Sequence, residues 1–442
     1  MKWIRLMVAV ALGFCVTGCS NRNVEIGSLD VIETPNPSVY ELTFMVKDTV
    51  PISVSLENQE TGTKQFLESS SENENRQLIL PFLKPGLTYT IELLFNGDVI
   101  SEPFTFRTRP LNSSLFANIK KKVNPEAFEG FILTQRKGSG DGYIYMLDAD
   151  GDVVWYQRTA GIPKLSQWVD KYQIMTLLGN AEHDNSAGDH IVAYRINGDI
   201  SWEIDMRKHQ LVAHHEVLEH NGDIYTLVYD SIPYTFNGSS EEAVSTAVLR
   251  LNKDGEILWK WSTFDVVQPS GIPVSEMMGD WGHANALAFD SDGNLLISYR
   301  DWNQIWKVDS NTGKRLWVLG EQGDVDMDGI PFDAQHAVLK DPEDNYMLFD
   351  NGRKKERTRV VSYEITENQA KLTRDIELPS ELFSVKMGNA AVLPNKNILV
   401  CASGSESIVV MDSVGTILYH ITTGIPSPYR ATYVPAYYTH PQ

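Results

Sequence analysis

The sequence predicts an all-β chain: a six-bladed β-propeller preceded by a small immunoglobulin- or fibronectin III-like β-sandwich. Three observations predict it. A strand–turn–strand signature recurs along the second two thirds of the chain, its copies ~50 residues apart, which is the spacing of propeller blades. The segments between copies alternate apolar and polar residues with a period of two, as half-buried strands do. No stretch carries helical periodicity, which excludes a helical solenoid.

The elements follow in order. Lys2 and Arg5 precede an apolar run, Leu6 to Val16, too short to span a bilayer as a mature helix. Val16-Thr17-Gly18-Cys19 comes next, with small residues at a cleavage site, so residues 1–18 read as a signal peptide. A cysteine directly after those small residues resembles the lipobox of bacterial lipoproteins. That resemblance implies cleavage before Cys19, diacylglycerol on its sulfur and usually an acyl group on its amine. Two or more chains anchor stably where one is marginal. Ser20 in place of Asp leans toward outer-membrane sorting under the same rule. The expectation is an exported protein, lipid-anchored in the bacterial cell envelope. The alternative is an ordinary signal peptide with a chance cysteine. Of the three cysteines, Cys15 leaves with the signal and Cys19 carries lipid, so Cys401 has no intrachain partner. Stability must come from the core.

The formal net charge is -20, and no basic footprint stands out, so nucleic acid is excluded as a partner. An acidic surface also makes any site for an anionic substrate conspicuous, because such a site needs local positive charge. Residues 19–35 are polar, contain proline and read as a lipidated tether. Residues 36–108 form short alternating strands, for example Tyr40 to Phe44 and Ile52 to Leu56. Leu83 to Tyr89, Thr90 to Phe95 and Phe104 to Thr108 look like the second half of the sandwich, which reads as a spacer or dimerisation module.

Residues 109–442 are the propeller. The signature is a strand, a turn with Gly or Asn, and a strand often holding Trp. It appears at Leu147 to Trp155, Ile196 to Trp202, Leu251 to Trp259 and Val308 to Trp317, with weaker copies at Tyr363 to Ile376 and Met411 to Tyr419. These six copies predict six blades of about four strands each.

What opens the first hairpin of each blade carries the chemistry. One blade opens on His215, the next on His283, the next on His336 and the next on Asn389. Equivalent positions in a propeller are related by rotation about its axis. If this strand is the innermost, three imidazoles converge at one mouth of the central channel. His283 and Arg300 are equidistant from the turn between Ser291 and Asp292, so they face each other across the hairpin. The same count sets Arg353 near His336, from a less defined turn. Such histidines have a structural reading, as satisfied core residues, and a metal reading, since neutral imidazole is a common ligand. Arg300 argues against a metal, and no carboxylate occupies the equivalent positions. A positive, histidine-rich mouth suits a sulfate or phosphate ester.

Taken together, Trp281-Gly282-His283-Ala284-Asn285, Ile297-Ser298-Tyr299-Arg300, Trp317-Val318-Leu319-Gly320, Gln335-His336 and Phe349-Asp350-Asn351-Gly352 resemble the bacterial arylsulfate sulfotransferases. The segment His215 to Val228 looks like the family's earlier histidine strand. The resemblance runs from the sandwich through all six blades. It implies export, often a homodimer, and sulfuryl transfer from a phenolic sulfate ester to a phenol acceptor, with no cofactor and without the nucleotide donor of cytosolic sulfotransferases. The chain accordingly has no P-loop pattern. By motif, His336 resembles the nucleophile that becomes a sulfohistidine; His215, His283 and Arg300 match the other catalytic positions. Of His214 and His215, the latter has the better register with its turn. Asn285 orients a partner in this reading.

The family's loop disulfide is missing here. Asp324, Asp326 and Asp328 precede Gly329 instead, matching the opening of a calcium loop without its closing Glu, since Gln335 stands there. A solvated acidic turn is the other reading. Two further function classes stay open: an aryl sulfatase or phosphatase at the same site, and a non-catalytic propeller lipoprotein for binding or assembly.

Overall fold

The computed structural model describes residues 24–69, 73–170, 173–183, 186–277, 279–424 and 428–436. The expected signal peptide and Cys19 lie outside them. Among the described residues the chain is all-β, in eight sheets joined by turns and short 3-10 segments, and no helix is long and apolar enough to cross a membrane.

Two sheets form the N-terminal part. Ile26–Glu33, Tyr40–Val46 and Asn75–Leu80 make one; Ile52–Asn58, Lys64–Ser69, Thr88–Phe95, Asp98–Val99 and Phe104–Arg107 make the other. Tyr40–Val46 buries every second residue, and Tyr40, Leu42, Phe44 and Val46 join Ile52, Val54, Leu56, Ile91 and Leu93 in one apolar cluster. Part of the expected tether is strand: Ile26–Glu33 pairs antiparallel with Tyr40–Val46, because Leu29 and Val31 pack against that cluster. This part docks on the sheet that follows. Phe82 packs its ring 4.7 Å from that of Phe131, and Asn36 Nδ2 donates to Tyr156 O at 2.6 Å.

The other six sheets each hold a run of four antiparallel strands. The second sheet leads with Ile162–Asp170, the third with Ala213–His220, the fourth with Ala284–Phe289, the fifth with His336–Lys340 and the sixth with Asn389–Val392. The first sheet differs. Its lead strand is Thr432–Val434, from the end of the chain, paired with Phe131–Lys137. The sixth sheet takes Lys120–Val123 on its outer edge in exchange.

The recurring signature is the hairpin between the third and fourth strands of these sheets. In each, the ladder slips by one residue at the signature turn, as after Met146, Ala193, Arg250, Lys307, Ser362 and Val410. The turn glycine takes a left-handed backbone, which costs glycine nothing and places the bulge. Gly255 and Gly313 have φ of +85° and +70°, and each lies against the outer strand of the sheet before it, on Ile204 and Trp261. Trp261 Nε1 also donates to Gly313 O at 2.8 Å. The motif therefore links neighbouring sheets.

Six apolar clusters lie between consecutive sheets. One joins the first and second, others the second and third, third and fourth, fourth and fifth, and fifth and sixth. The last joins Leu399, Ile408 and Val410 of the sixth sheet to Ile132, Tyr145 and Leu147 of the first, so the packing closes on itself. The lead strands meet at that closure too. Asn389 Nδ2 donates to Ala431 O at 2.8 Å, and its Oδ1 accepts from Ala431 N at 2.9 Å.

Candidate active site

The start of the lead strand is irregular in the third, fourth and fifth sheets. The ladder slips between His214 and Val217, between Ala284 and Ala286, and between His336 and Leu339. His215, His283 and Ala337 take left-handed φ of +59°, +49° and +51°. A bulge re-aims side chains that a regular ladder would send to alternate faces. Left-handed backbone at a residue other than glycine costs roughly 1–3 kcal/mol and persists only where the surroundings hold it.

Here the bulges bring the histidines of three sheets together. The rings of His215 and His283 stand 4.8 Å apart, nearly perpendicular, and His215 feels the charge states of both His283 and His336. The N–H of Arg300 donates to His283 O at 3.0 Å, so the two residues face each other across their hairpin. Arg300 also acts on His336. Its Nε donates to Asp301 Oδ1 at 2.7 Å, which orients the guanidinium; its terminal nitrogens make no hydrogen bond among the described residues. His215 and His336 are only 4% and 2% exposed, whereas the side chains of His283 and Arg300 keep 21% and 19%. Solvent reaches the cluster on the His283–Arg300 side.

The tautomer of His336 follows from its neighbours. Asn351 Nδ2 donates to Ser384 O at 2.6 Å and Met387 O at 3.0 Å, which turns its Oδ1 toward the imidazole. His336 Nδ1 lies 2.7 Å from that Oδ1 and 3.2 Å from Ala334 O. Two acceptors on one nitrogen require Nδ1–H, so the lone pair is on Nε2. Nε2 accepts one long hydrogen bond, 3.2 Å, from the N–H of Met387. Burial pushes His336 down to about 3, with Arg300 and His283 acting the same way against the hydrogen bond to Asn351. His214 and His283 are also pushed down to about 3 by burial, and His215 well below its ordinary value. All four imidazoles are neutral near pH 7.

Several contributors lie off the histidine repeat. His214 Nδ1 is 2.8 Å from His215 Nδ1, so one ring donates to the other, and Ser186 Oγ is 3.0 Å from His215 Nε2. The sequence favours His215 over His214; the structure places both rings in the cluster, with His214 stacked on Tyr229 at 4.3 Å. Asp280 Oδ2 stands 3.4 Å from His283 Nδ1. No carboxylate occupies the repeat positions themselves; Asp280 enters from the turn before the strand. Arg430 is buried, donates to Glu216 through Nη1 and reaches Asn285 O through Nη2 at 3.0 Å. Burial opposes its charge, but Glu216 and Tyr429 together raise its pKa above the ordinary value. Arg430 precedes Thr432–Val434, so it is the first sheet's counterpart of the histidines. Six signature copies with the first sheet's lead strand unaccounted for were a signal that the chain end supplies it.

Asn285 is fully buried, at the bulge; its Nδ2 donates to Gln335 O at 2.7 Å, next to His336. Arg353 is not brought to the cluster. His336 pairs with Phe349, and Arg353 is exposed on the 3-10 turn Arg353–Lys355, without a polar contact to the histidines. Asp324 and Asp326 are engaged separately: Asp324 Oδ1 accepts from Val318 N at 2.5 Å and Asp326 Oδ2 from Gln369 Nε2 at 3.0 Å. The carboxylates that do converge among the described residues are Asp148, Asp150 and Asp152, and Lys84 Nζ sits on them at 3.0, 2.5 and 3.2 Å.

The fold thus brings neutral histidines of three sheets together with an arginine oriented by Asp301. The family model described as Arylsulfotransferase (ASST) matches residues 117–422, and the chain belongs to that family of sulfotransferases, whose substrates are phenolic. No curated protein matches the chain. Among solved structures, the periplasmic gluconolactonase PpgL of Pseudomonas aeruginosa is 16% identical, with a TM-score of 0.43 over 70% of this chain and 99% of that one. A protein of unknown function from Bacteroides caccae is 12% identical, with a TM-score of 0.41 over 69% of this chain and 98% of that one. A catalytically inactive virginiamycin B lyase of Staphylococcus aureus is 14% identical, with a TM-score of 0.39 over 70% of this chain and 90% of that one. Likeness at this level defines no shared chemistry.

Proposed function

We propose that this protein transfers a sulfuryl group from an aryl sulfate to a phenol through a sulfohistidine on His336. The observation that carries the reading is the tautomer of His336: Nδ1–H is held by Asn351 Oδ1 and Ala334 O, leaving the Nε2 lone pair for attack. In the first step Nε2 attacks sulfur in line, the N–S bond forms, the S–O bond to the aryl group breaks, and the phenolate leaves. The substrate's sulfuryl oxygens displace the long contact from Met387. The positive charge left on the imidazole is met by Asn351 at Nδ1. In the second step an acceptor phenol oxygen attacks sulfur, the N–S bond breaks and neutral His336 returns. Two half-reactions at one site give ping-pong kinetics. Arg300, oriented by Asp301, holds the equatorial oxygens with its free terminal nitrogens. His283, with Asp280 beside its Nδ1 and solvent on one side, takes the acceptor's proton; His215 and His214 line the buried wall.

In this reading the six sheets are the blades of a six-bladed β-propeller, supported by the closed cycle of clusters, and the two N-terminal sheets are a sandwich. The protein is exported and held by lipid at Cys19 in the cell envelope, as its first residues support, and the N-terminal part is the natural place for a homodimer contact.

The experiment mixes purified protein with 4-nitrophenyl sulfate, with and without phenol. The expected outcome is nitrophenolate release that depends on phenol and yields phenyl sulfate. Release without phenol would instead mean hydrolysis. His336→Ala should cost on the order of 10²-fold or more in turnover. Near-normal turnover in that variant removes His336 as the nucleophile.

A further inference from the structure

In the proposed transfer the nucleophile and the arginine that holds the sulfuryl oxygens come from different sheets, so contacts between those sheets must set their spacing. Arg300 opens the turn 300–303 between Leu295–Tyr299 and Gln304–Val308 of the fourth sheet, and His336 begins the lead strand of the fifth. Two side chains outside the histidine repeat join these places. Gln335, fully buried directly before His336, turns back into the fourth sheet, where its Nε2 donates to Tyr299 O, Gln304 O and Ser298 Oγ, each at 3.1 Å. Tyr299 and Gln304 are partners across the hairpin and flank the turn on either side. Asn303, the last residue of the turn, accepts from the N–H of Ala334 through Oδ1 at 2.8 Å. Its Nδ2 donates to Glu321 Oε2 at 2.9 Å, which fixes that orientation of the amide.

The fourth sheet therefore holds Ala334-Gln335 at the Ala334 N–H, at the Gln335 amide and at Gln335 O, which accepts from Asn285 Nδ2 at 2.7 Å. The same dipeptide sets the nucleophile, since Ala334 O accepts from His336 Nδ1 at 3.2 Å. Ala334 and Ala337 take left-handed φ of +55° and +51°, so the chain on both sides of His336 is irregular and needs its surroundings to hold it. Trp302 steadies the turn itself by stacking on Tyr299 at 4.8 Å. The acceptors around Gln335 are main-chain carbonyls and a hydroxyl, so the buried side chain that meets them has to bring N–H donors. Among the described residues neither Gln335 nor Asn303 bonds to a histidine ring through its side chain; both act through the backbone.

We propose that Gln335 and Asn303 are positioning residues: they lock the Arg300 turn against the segment that delivers His336, so that an ester held by Arg300 lies in line with Nε2. The proposal rests on sulfuryl transfer by His336. Reacting groups must meet in a narrow geometry, and a misplacement of about 1 Å costs about 10²-fold in rate.

The test uses Gln335→Met, which keeps an unbranched side chain and removes its donors, and Asn303→Gly, which suits the left-handed φ of +51° and removes the acceptor. With 4-nitrophenyl sulfate and phenol, kcat/KM for the donor reports the first half-reaction and kcat/KM for the acceptor the second. Each variant should lose on the order of tenfold in both, by the same factor, because both halves use His336 with Arg300. In an Arg300→Ala background the same substitutions should cost less than about twofold, since the arginine they align is gone. A loss confined to one half-reaction, a loss that persists in full without Arg300, or no loss in either variant overturns the proposal. If Gln335→Met does not fold, Asn303→Gly decides. The imidazole nitrogen NMR signals of His336 read the link without turnover: they should move in both variants while those of His214 stay. A wild-type protein that transfers no sulfuryl group but shows this movement keeps the link and removes the transfer reading; transfer with rates and signals unchanged in the variants does the reverse.

Discussion

Arg430 shows how much a single residue decides at this site. It comes from the end of the chain, is buried beside the histidines, and pairs with Glu216, which directly follows His215. It also holds the carbonyl of Asn285, next to the bulge of the fourth sheet. Glu216 is buried too, and burial raises its carboxyl pKa against the pull of Arg430. Removing one partner of such a pair strands the other charge, at a cost of roughly 3–5 kcal/mol. Arg430→Met should therefore lower the urea midpoint sharply, and Arg430→Met with Glu216→Gln should recover much of the loss. A double variant no better than the single one would mean that Arg430 acts through packing and not through its charge. Neither partner was legible from the histidine spacing. Glu216 reads as an ordinary strand residue, and Arg430 lies far along the chain from it, beyond the last signature copy.

Among the elements, the repeated hairpin explains why the signature was readable. Its turn must supply a left-handed residue, the bulge that follows, and a close approach to the previous sheet. Glycine meets all three, and it does so in most copies, so the sequence displays a period. A β-carbon built on Gly313 would stand 2.6 Å from Trp261 Cδ1, at a φ of +70°. Gly238 also has positive φ, +84°, at the tip of the long hairpin of the third sheet, but nothing lies within 4 Å of its β-carbon position. Gly238→Ala should cost about 1 kcal/mol from backbone strain alone, and Gly313→Ala roughly 2 kcal/mol or more. Equal losses by urea denaturation would contradict the close packing between the third and fourth sheets. The lead-strand bulges are the opposite case. They carry His215 and His283 where no glycine marks the left-handed backbone, so hairpin counting finds which residues face each other but not where the rings point.

Across the whole molecule, four imidazoles from three sheets are held neutral, three of them buried and His283 partly so, and folding is linked to their protonation. His214, His283 and His336 have native pKa values near 3, below the ordinary 6.5 of an unfolded chain. Between these values the unfolded state binds more protons. The contribution is fully present above pH 6.5 and is lost as pH falls toward 3. Glu216 and Asp350, whose carboxyl pKa values burial raises, act in the opposite sense. The informative measurement is therefore a difference. His214→Phe keeps the stacking on Tyr229 and removes one titrating group, so its stability should fall less steeply below about pH 6.5 than the wild type's, by up to about 1.4 kcal/mol per pH unit. Parallel curves would mean that His214 is not buried neutral. The same shift bears on catalysis: His336 stays neutral well below pH 6.5, so the acid limb of kcat/KM from its protonation is expected well below that pH.

Strand content, the repeating hairpin, the histidines at successive lead strands and Arg300 opposite His283 were all legible in the chain. These are local or periodic properties: a period of two, a turn that needs glycine, a count from a hairpin. The rest came from how the sheets assemble. Arg430 reaches the histidines because the lead strand of the first sheet comes from the chain end. Folding also sets Asp280 beside His283 and Asn351 against His336 Nδ1, and leaves Arg353 at the surface. Each of these depends on how distant strands close upon one another, and the resulting burial sets the protonation state of every imidazole in the site. No local pattern encodes a distance across that closure, so the chemistry of the residues could be read in the chain but their partners could not.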